Sequence, residues 1–333
     1  MRIIERMRTK SPFALPRPSL HEAALSFWAR VGAAFTAQAN PKNTLGGSAA
    51  LEGVMMKSPE AWALAVRLPN GQIHTERHEE IALSKKYAWA RLPLLRGVVA
   101  LFDAMSVSYR ALSRSAQLAG EEEEQLSKGA LYTTMAVSAV IGVLIFIVLP
   151  GLLSGFIIDA ARYPVWYNAL AGVFKASILV GYLLFIGRLP DIKRFFMYHG
   201  AEHKAIAAYE RDLPLTVENV RAQPAYHPRC GTTFIAFVIL ASIVVYSVLP
   251  GQDNIAWRLG ARVLFLPIVA GVAFELLRFT ASHGDPFSRL LRGFGFRFQM
   301  LTVKEPTDDM IEVAIESTKA AIGEKKPEAV PVA

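Results

Sequence analysis

The stretch GALYTTMAVSAVIGVLIFIVLPGLLSGFII, Gly129–Ile158, has no charged side chain between Lys128 and Asp159. A bilayer core takes about 20 apolar helical residues, so this run predicts a membrane span with length to spare for tilt. Pro150 and Gly151 predict a kink, which membrane helices tolerate. Working outward, three further apolar runs read as spans: Tyr167–Gly187, which contains Lys175; the segment between Arg229 and Asp253, apolar from Phe234 to Leu249; and Arg262–Phe279, apolar from Val263 to Phe274, with Glu275 and Arg278 near its end. The expected fold is a mainly α, polytopic membrane protein with four transmembrane helices and a small cytoplasmic β-element.

Composition agrees. Apolar residues make up 53% of the 333 and charged residues 19%, below the quarter or so usual for soluble domains. Lys and Arg number 17 in Met1–Lys128, 6 in Pro190–Cys230 and 7 in His283–Ala333, against one each in Asp159–Trp166 and Pro250–Ala261. That 30-to-2 bias predicts both termini on the cytoplasmic side. It also accounts for the net charge of +8 without nucleic acid, for which no zinc-finger, recognition-helix or phosphate-loop signature speaks. Met1–Lys10 is basic and lacks an apolar core, so no secretory signal peptide is expected and insertion rests on the internal spans. A single cysteine, Cys230, excludes a disulfide within the chain.

The expected divisions are a basic arm with one amphipathic helix (1–42), a small β-element (43–92), an interfacial helix (93–128), a transmembrane hairpin (129–189), a cytoplasmic His/Cys loop (190–232), a second hairpin (233–282) and a C-terminal segment (283–333). The β-element rests on Pro69-Asn70-Gly71 between the runs Trp62–Leu68 and Gln72–Arg77, since Asn-Gly is a strong hairpin signal. The interfacial helix carries a stripe of Leu94, Leu95, Val98, Leu101, Phe102, Met105, Tyr109 and Leu112, interrupted by Arg96, Arg110 and Arg114. Glu121–Glu124 reads as a solvated helix face, with Lys128 placed to pair with Glu124. Arg297–Lys304 alternates weakly and predicts a strand. Thr307 with Asp308 and Asp309 predicts the cap of a last helix, and the tail from Lys325 reads as disordered.

Three of the seven histidines and the lone cysteine fall within 32 positions, 199–230. His199 and His203 are four apart and share a helix face, where two imidazoles can hold one metal ion. With Glu202 they make H-x-x-E-H, the arrangement of inverted zinc peptidases, in which the Glu is the base. Such short patterns also arise by chance on ordinary surface helices; the clustering favours metal. His227 and Cys230 precede the third run and add two zinc-type ligands. Glu275 matches the downstream acidic ligand of such peptidases in rough position. Lys175 has two readings: a functional group inside a span, or a chain snorkelling to the far surface, which is favoured.

Gly46-Gly47-Ser48-Ala49-Ala50-Leu51-Glu52-Gly53-Val54-Met55-Met56, Arg96-Gly97, Tyr198–Lys204, His227–Thr232, Val269-Ala270-Gly271 and Glu275–Arg278 together resemble the YqhQ-like family, over roughly 43–322. The resemblance implies a bacterial cell (inner) membrane protein, labelled in that family as a metal-dependent enzyme on these same motifs; the arm 1–42 departs from it. Two functions are expected. In one, a zinc or similar divalent ion on His199, His203 and some of His227, Cys230 and Glu275 leaves an open position, and Glu202 is the catalytic base of a hydrolase at the membrane surface. In the other, four ligands close the site and staple a scaffold that recruits a cytosolic protein partner. Three ligands with a free Glu202 favour the first; four favour the second. A transporter rests on Lys175 alone and lacks paired broken helices.

Overall fold

The computed structural model describes residues 45–120, 128–227 and 229–324. The basic arm with its amphipathic helix, the Glu124–Lys128 pair and the tail from Lys325 lie outside the described residues.

The β-element is an antiparallel meander, β1 (Gly46–Ala50), β2 (Gly53–Lys57), β3 (Ala61–Arg67) and β4 (Ile73–Glu79), paired in chain order. The Asn-Gly hairpin is present: Leu68 donates to Gln72 and Gly71, at φ 86°, donates to Leu68. β2 and β3 are buried on both faces, hence the continuous apolar runs Val54–Met56 and Ala61–Val66. One face packs on α2 (Leu95–Leu118) through Val107 and Ala111. The other packs on two helices, through Tyr198, Ala201 and Ala205 from one and Met310, Ile311 and Ala314 from the other. A short helix α1 (Leu83–Lys86) and the 3-10 turn Ala88–Arg91 connect β4 to α2.

α2 turns Val107, Ala111 and Ser115 to the sheet and leaves the predicted stripe uncovered: Leu95, Phe102, Met105, Tyr109 and Leu112 are 39–68% exposed. Its start is strained. Leu95 donates to the Pro93 carbonyl around Leu94, whose φ of 67° and ψ of −51° describe a γ-turn of the rare hand, which costs on the order of 1–3 kcal/mol. Glu275 holds it, accepting from Leu94 N at 3.2 Å and from Arg96 Nε at 2.6 Å, with Arg96 Nη2 on its other oxygen.

The first apolar run forms α3 (Lys128–Val143), a π-turn (Leu144–Val148) and α4 (Leu149–Gly155). Pro150 has no N–H and its ring crowds the carbonyl four residues back; the π-turn immediately before it absorbs that clash. α5 (Pro164–Ile186) follows. These supply two stretches long and apolar enough to cross a membrane, Ala136–Gly155 and Pro164–Ile186. The third run forms α8 (Gly231–Ser247), after α6 (Pro190–Glu210) and α7 (Val217–Arg221). At 17 residues it is about 25 Å long. The fourth run is broken into α9 (Ile255–Leu264) and α10 (Leu266–Ser282), bent by 51° where Pro267 enters. By length and composition two helices qualify as membrane spans, or three if the bent pair counts as one.

The strand expected at Arg297–Lys304 is instead the end of a helix, α11 (Pro286–Thr302). Asp285 caps it, accepting from Ser288 N at 3.0 Å, and Pro286 suits its first turn. Ser288, Gly295, Phe298, Gln299 and Thr302 are buried at helical spacing; the period of the pattern was 3.6, not 2. The last helix, α12 (Asp308–Ile322), starts as expected, with Thr307 at the cap position but no side-chain bond, and stops at the left-handed Gly323.

Arg96 and Glu275 are 11% and 7% exposed in their side chains. Arg96→Ala leaves the buried Glu275 carboxylate without the Arg96 guanidinium and is expected to cost about 3–5 kcal/mol. Thermal unfolding of the purified variant checks this. An Arg96→Ala variant as stable as the wild type would contradict it.

Candidate metal centre

The site is built on α6, whose sequence Tyr198-His199-Gly200-Ala201-Glu202-His203-Lys204 is accounted for side chain by side chain. Tyr198 OH donates to Glu52 in the β1–β2 turn. Gly200 lets the backbone after α11 cross: a Cβ there would collide with the Lys304 carbonyl, and Lys304 N donates to Phe196 O at 3.0 Å. Ala201 packs in the core beneath the sheet. Lys204, 4% exposed, donates to the carbonyls of Arg221 and Gln223, both at 2.9 Å, and pairs with Glu305. It thereby holds the segment that leads to Cys230.

The crossing backbone and that segment each present a carbonyl to one histidine. His199 Nδ1 lies 3.0 Å from Thr302 O, and His203 Nδ1 lies 2.6 Å from Ala225 O. A carbonyl only accepts, so Nδ1 carries the proton in both rings and Nε2 keeps its lone pair. Metal-binding histidines are oriented in this way. Cys230 caps α8, its Sγ accepting from Thr232 N at 3.4 Å, and stands 3.3 Å from His199 Nε2. His199, His203 and Cys230 have ligand atoms within 4.8 Å of one another, and the two rings of α6 are 4.4 Å apart at their centroids.

His227 approaches but does not join. Its ring is 5.9 Å from that of His203; its Nε2 is 3.1 Å from Glu210 Oε2, and its Nδ1 accepts from Arg229 N. Its backbone is clamped by Gln299, which accepts from His227 N and donates to His227 O and Thr233 Oγ1. Glu275 is not at the cluster: both its oxygens are taken by Arg96 and Leu94. The likeness that suggested it as a ligand was positional, and the chain turns that end of α10 toward α2 instead. Lys175 does not run to a surface either; it donates to Ser242 Oγ of α8 at 3.2 Å.

Glu202 is 4% exposed, and its Oε2 has no hydrogen-bond partner. β1 lies against it at Gly47, where a Cβ would come within 2.9 Å of Glu202 Cγ. Burial pushes the Glu202 carboxyl up to about 7, while His199 and His227 pull the other way. Burial likewise pushes His203 and His227 below the usual imidazole range. The neutral imidazole is the form that ligates metal. A carboxylate near 7 exchanges protons at neutral pH. Two imidazoles and one cysteine sulfur are ligand types that suit zinc.

Sequence reasoning missed three contributors. Thr302 and Gln299 sat in the segment taken for a strand, and Gly47 gave only the signal of a glycine pair at a strand start. A helical period over 288–302 would have exposed the first two.

The description "Protein of unknown function (DUF1385)" matches residues 92–324. The chain is 37% identical over 287 residues to "Uncharacterized protein YqhQ" of Bacillus subtilis (strain 168), covering 82% of this chain and 90% of that protein. No solved structure matches.

Because the Glu202 carboxyl is raised from 4.5 to about 7, its proton stabilises the folded state. That contribution is whole below pH 4.5 and is lost as pH rises through 7. Metal-free Glu202→Gln should therefore match the wild type at pH 4.5 and exceed it at pH 8.5, by up to about 3 kcal/mol. Unfolding at both pH values with a chelator present checks this; a difference that does not grow with pH would contradict it.

Proposed function

The chain belongs to the DUF1385 family of YqhQ-like proteins, and from that starting point we propose that it is a membrane-embedded, zinc-type metallohydrolase whose site lies at the cytoplasmic surface. The observation that carries this reading is a three-donor cluster beside a buried carboxylate with an unpartnered oxygen. His199, His203 and Cys230 would hold the ion. When bound there, a divalent ion would supply Lewis acidity and lower the pKa of a water molecule. Glu202 takes the proton from the attacking water and returns it to the leaving group. Thr302 O and Ala225 O keep both imidazoles in the ligating tautomer. The closed, structural alternative needs His227 as fourth ligand, and its ring nitrogens are engaged by Glu210 and Arg229.

The proposed topology has four crossings, made by α3–α4, α5, α8 and the bent α9–α10 pair, with both termini cytoplasmic in the bacterial inner membrane. The Lys and Arg bias supports the orientation. The bare apolar faces of Ala136–Gly155 and Pro164–Ile186 support lipid around them, since only 11% of each is buried. The uncovered stripe on α2 supports contact of that helix with the bilayer surface.

Two experiments test this. Zinc measured in protein purified without added metal should fall at least tenfold in Cys230→Ala and stay near wild type in Glu202→Gln, while Glu202→Gln abolishes complementation of a deletion strain at normal abundance. Full complementation by Glu202→Gln would end the hydrolase reading. In a Cys230→Ser background, Asp253→Cys should react with an impermeant thiol reagent on intact cells and Glu218→Cys only after lysis; the reverse would overturn the topology.

A further inference from the structure

At the end of α8 opposite Cys230, about 24 Å away along the helix, the apolar helices enclose positive charge with no carboxylate beside it. Arg262 of α9 is 2% exposed. Its guanidinium lies over the rings of Tyr167 and Tyr246, at 5.3 and 5.2 Å from their centroids. Its Nη2 donates to Asn168 Oδ1 at 2.7 Å, and its Nε has no partner. One turn earlier, the half-buried Arg258 lies 4.9 Å over the same Tyr167 ring and gives Nη1 to the Gln252 carbonyl. Its Nε is also unpartnered. Among the described residues no ion pair includes Arg258 or Arg262.

Aromatic faces orient a guanidinium and attract it, but they bring no neutralising charge. A charge enclosed by apolar helices is ordinarily paired, and such groups mark ligand sites. Here two planar forks, one turn apart, hold N–H groups to spare. Glycines carry α4 close to both: a Cβ on Gly151 would lie 3.5 Å from Arg262 Nε, and one on Gly155 3.7 Å from Arg258 Nη2. A tetrahedral oxyanion with several acceptor oxygens is the complement of paired guanidinium forks. Among the described residues no carboxylate pairs with either guanidinium, and the His-Cys ligands lie at the other end of α8, so the chemistry differs from that of the His-Cys cluster.

We propose that Arg258 and Arg262 form a phosphate-binding site at the membrane surface opposite the His-Cys cluster, with Tyr167 and Tyr246 fixing the guanidinium planes. Phosphate chemistry at that level comes from a lipid phosphodiester headgroup or from a free phosphate ion. The site is independent of whether the metal centre is occupied.

The test uses the full chain in a maltoside detergent, which brings no phosphate. Its melting temperature is followed against dioctanoyl phosphatidylglycerol, inorganic phosphate, and dioctanoylglycerol, which has the same chains without the phosphate. A saturable rise with the phospholipid but not with dioctanoylglycerol assigns a lipid headgroup; the same rise with inorganic phosphate assigns a free ion. In either case Arg258→Gln, at a half-buried position, should weaken the apparent affinity at least tenfold. Arg262→Lys, which keeps the charge but loses the fork, should weaken it as well. No rise with either phosphate probe, or an unchanged rise in both variants, would overturn the proposal.

Discussion

The structure hangs on two hydrogen bonds, those that His199 and His203 give through Nδ1 to the carbonyls of Thr302 and Ala225. They tie one helix, α6, to two stretches of chain remote in sequence. One is the end of α11, brought alongside by Gly200; the other is the segment leading to Cys230, held by Lys204 and Gln299. The second tie keeps the segment that leads to Cys230 alongside the histidines. A polar network buried this deeply is stable only when its members are satisfied. Glu202 is the member left out, and an unsatisfied buried oxygen is costly enough to be retained for a reason.

The same helix forms one layer under the sheet, so packing and chemistry share residues. Tyr198, Ala201 and Ala205 fill the core between α6 and the meander, while His199, Glu202 and His203 project from the same two turns. On the far side of the sheet α2 carries the strained Leu94 joint to α10, locked by Arg96 and Glu275. The cluster is thus framed by packed helices and the sheet.

Much of this was legible in the sequence. The Asn-Gly hairpin, the last helix and the His199–His203 pairing rest on local rules of turn geometry and helical spacing, and they formed as read. What failed depended on tertiary context. Glu275 looked like a ligand by position, but its partner Arg96 lies 179 residues away in the chain. The weak alternation of Arg297–Lys304 concealed a helical period visible only over the longer window from Ser288. The apolar runs located membrane-type helices but did not reveal the break at Pro267 or the shortness of α8. His227 had the right chemistry and the wrong neighbour, because Glu210 on α6 engages its ring first.

The central claim is that His199, His203 and Cys230 bind one ion and leave it open. X-ray absorption at the zinc edge of the purified full-length protein tests it most directly. The account predicts one sulfur at about 2.3 Å and two imidazole nitrogens at about 2.0–2.1 Å, with one further light atom not from the protein. A spectrum with three imidazoles and one sulfur, or with no sulfur scatterer at all, would contradict it.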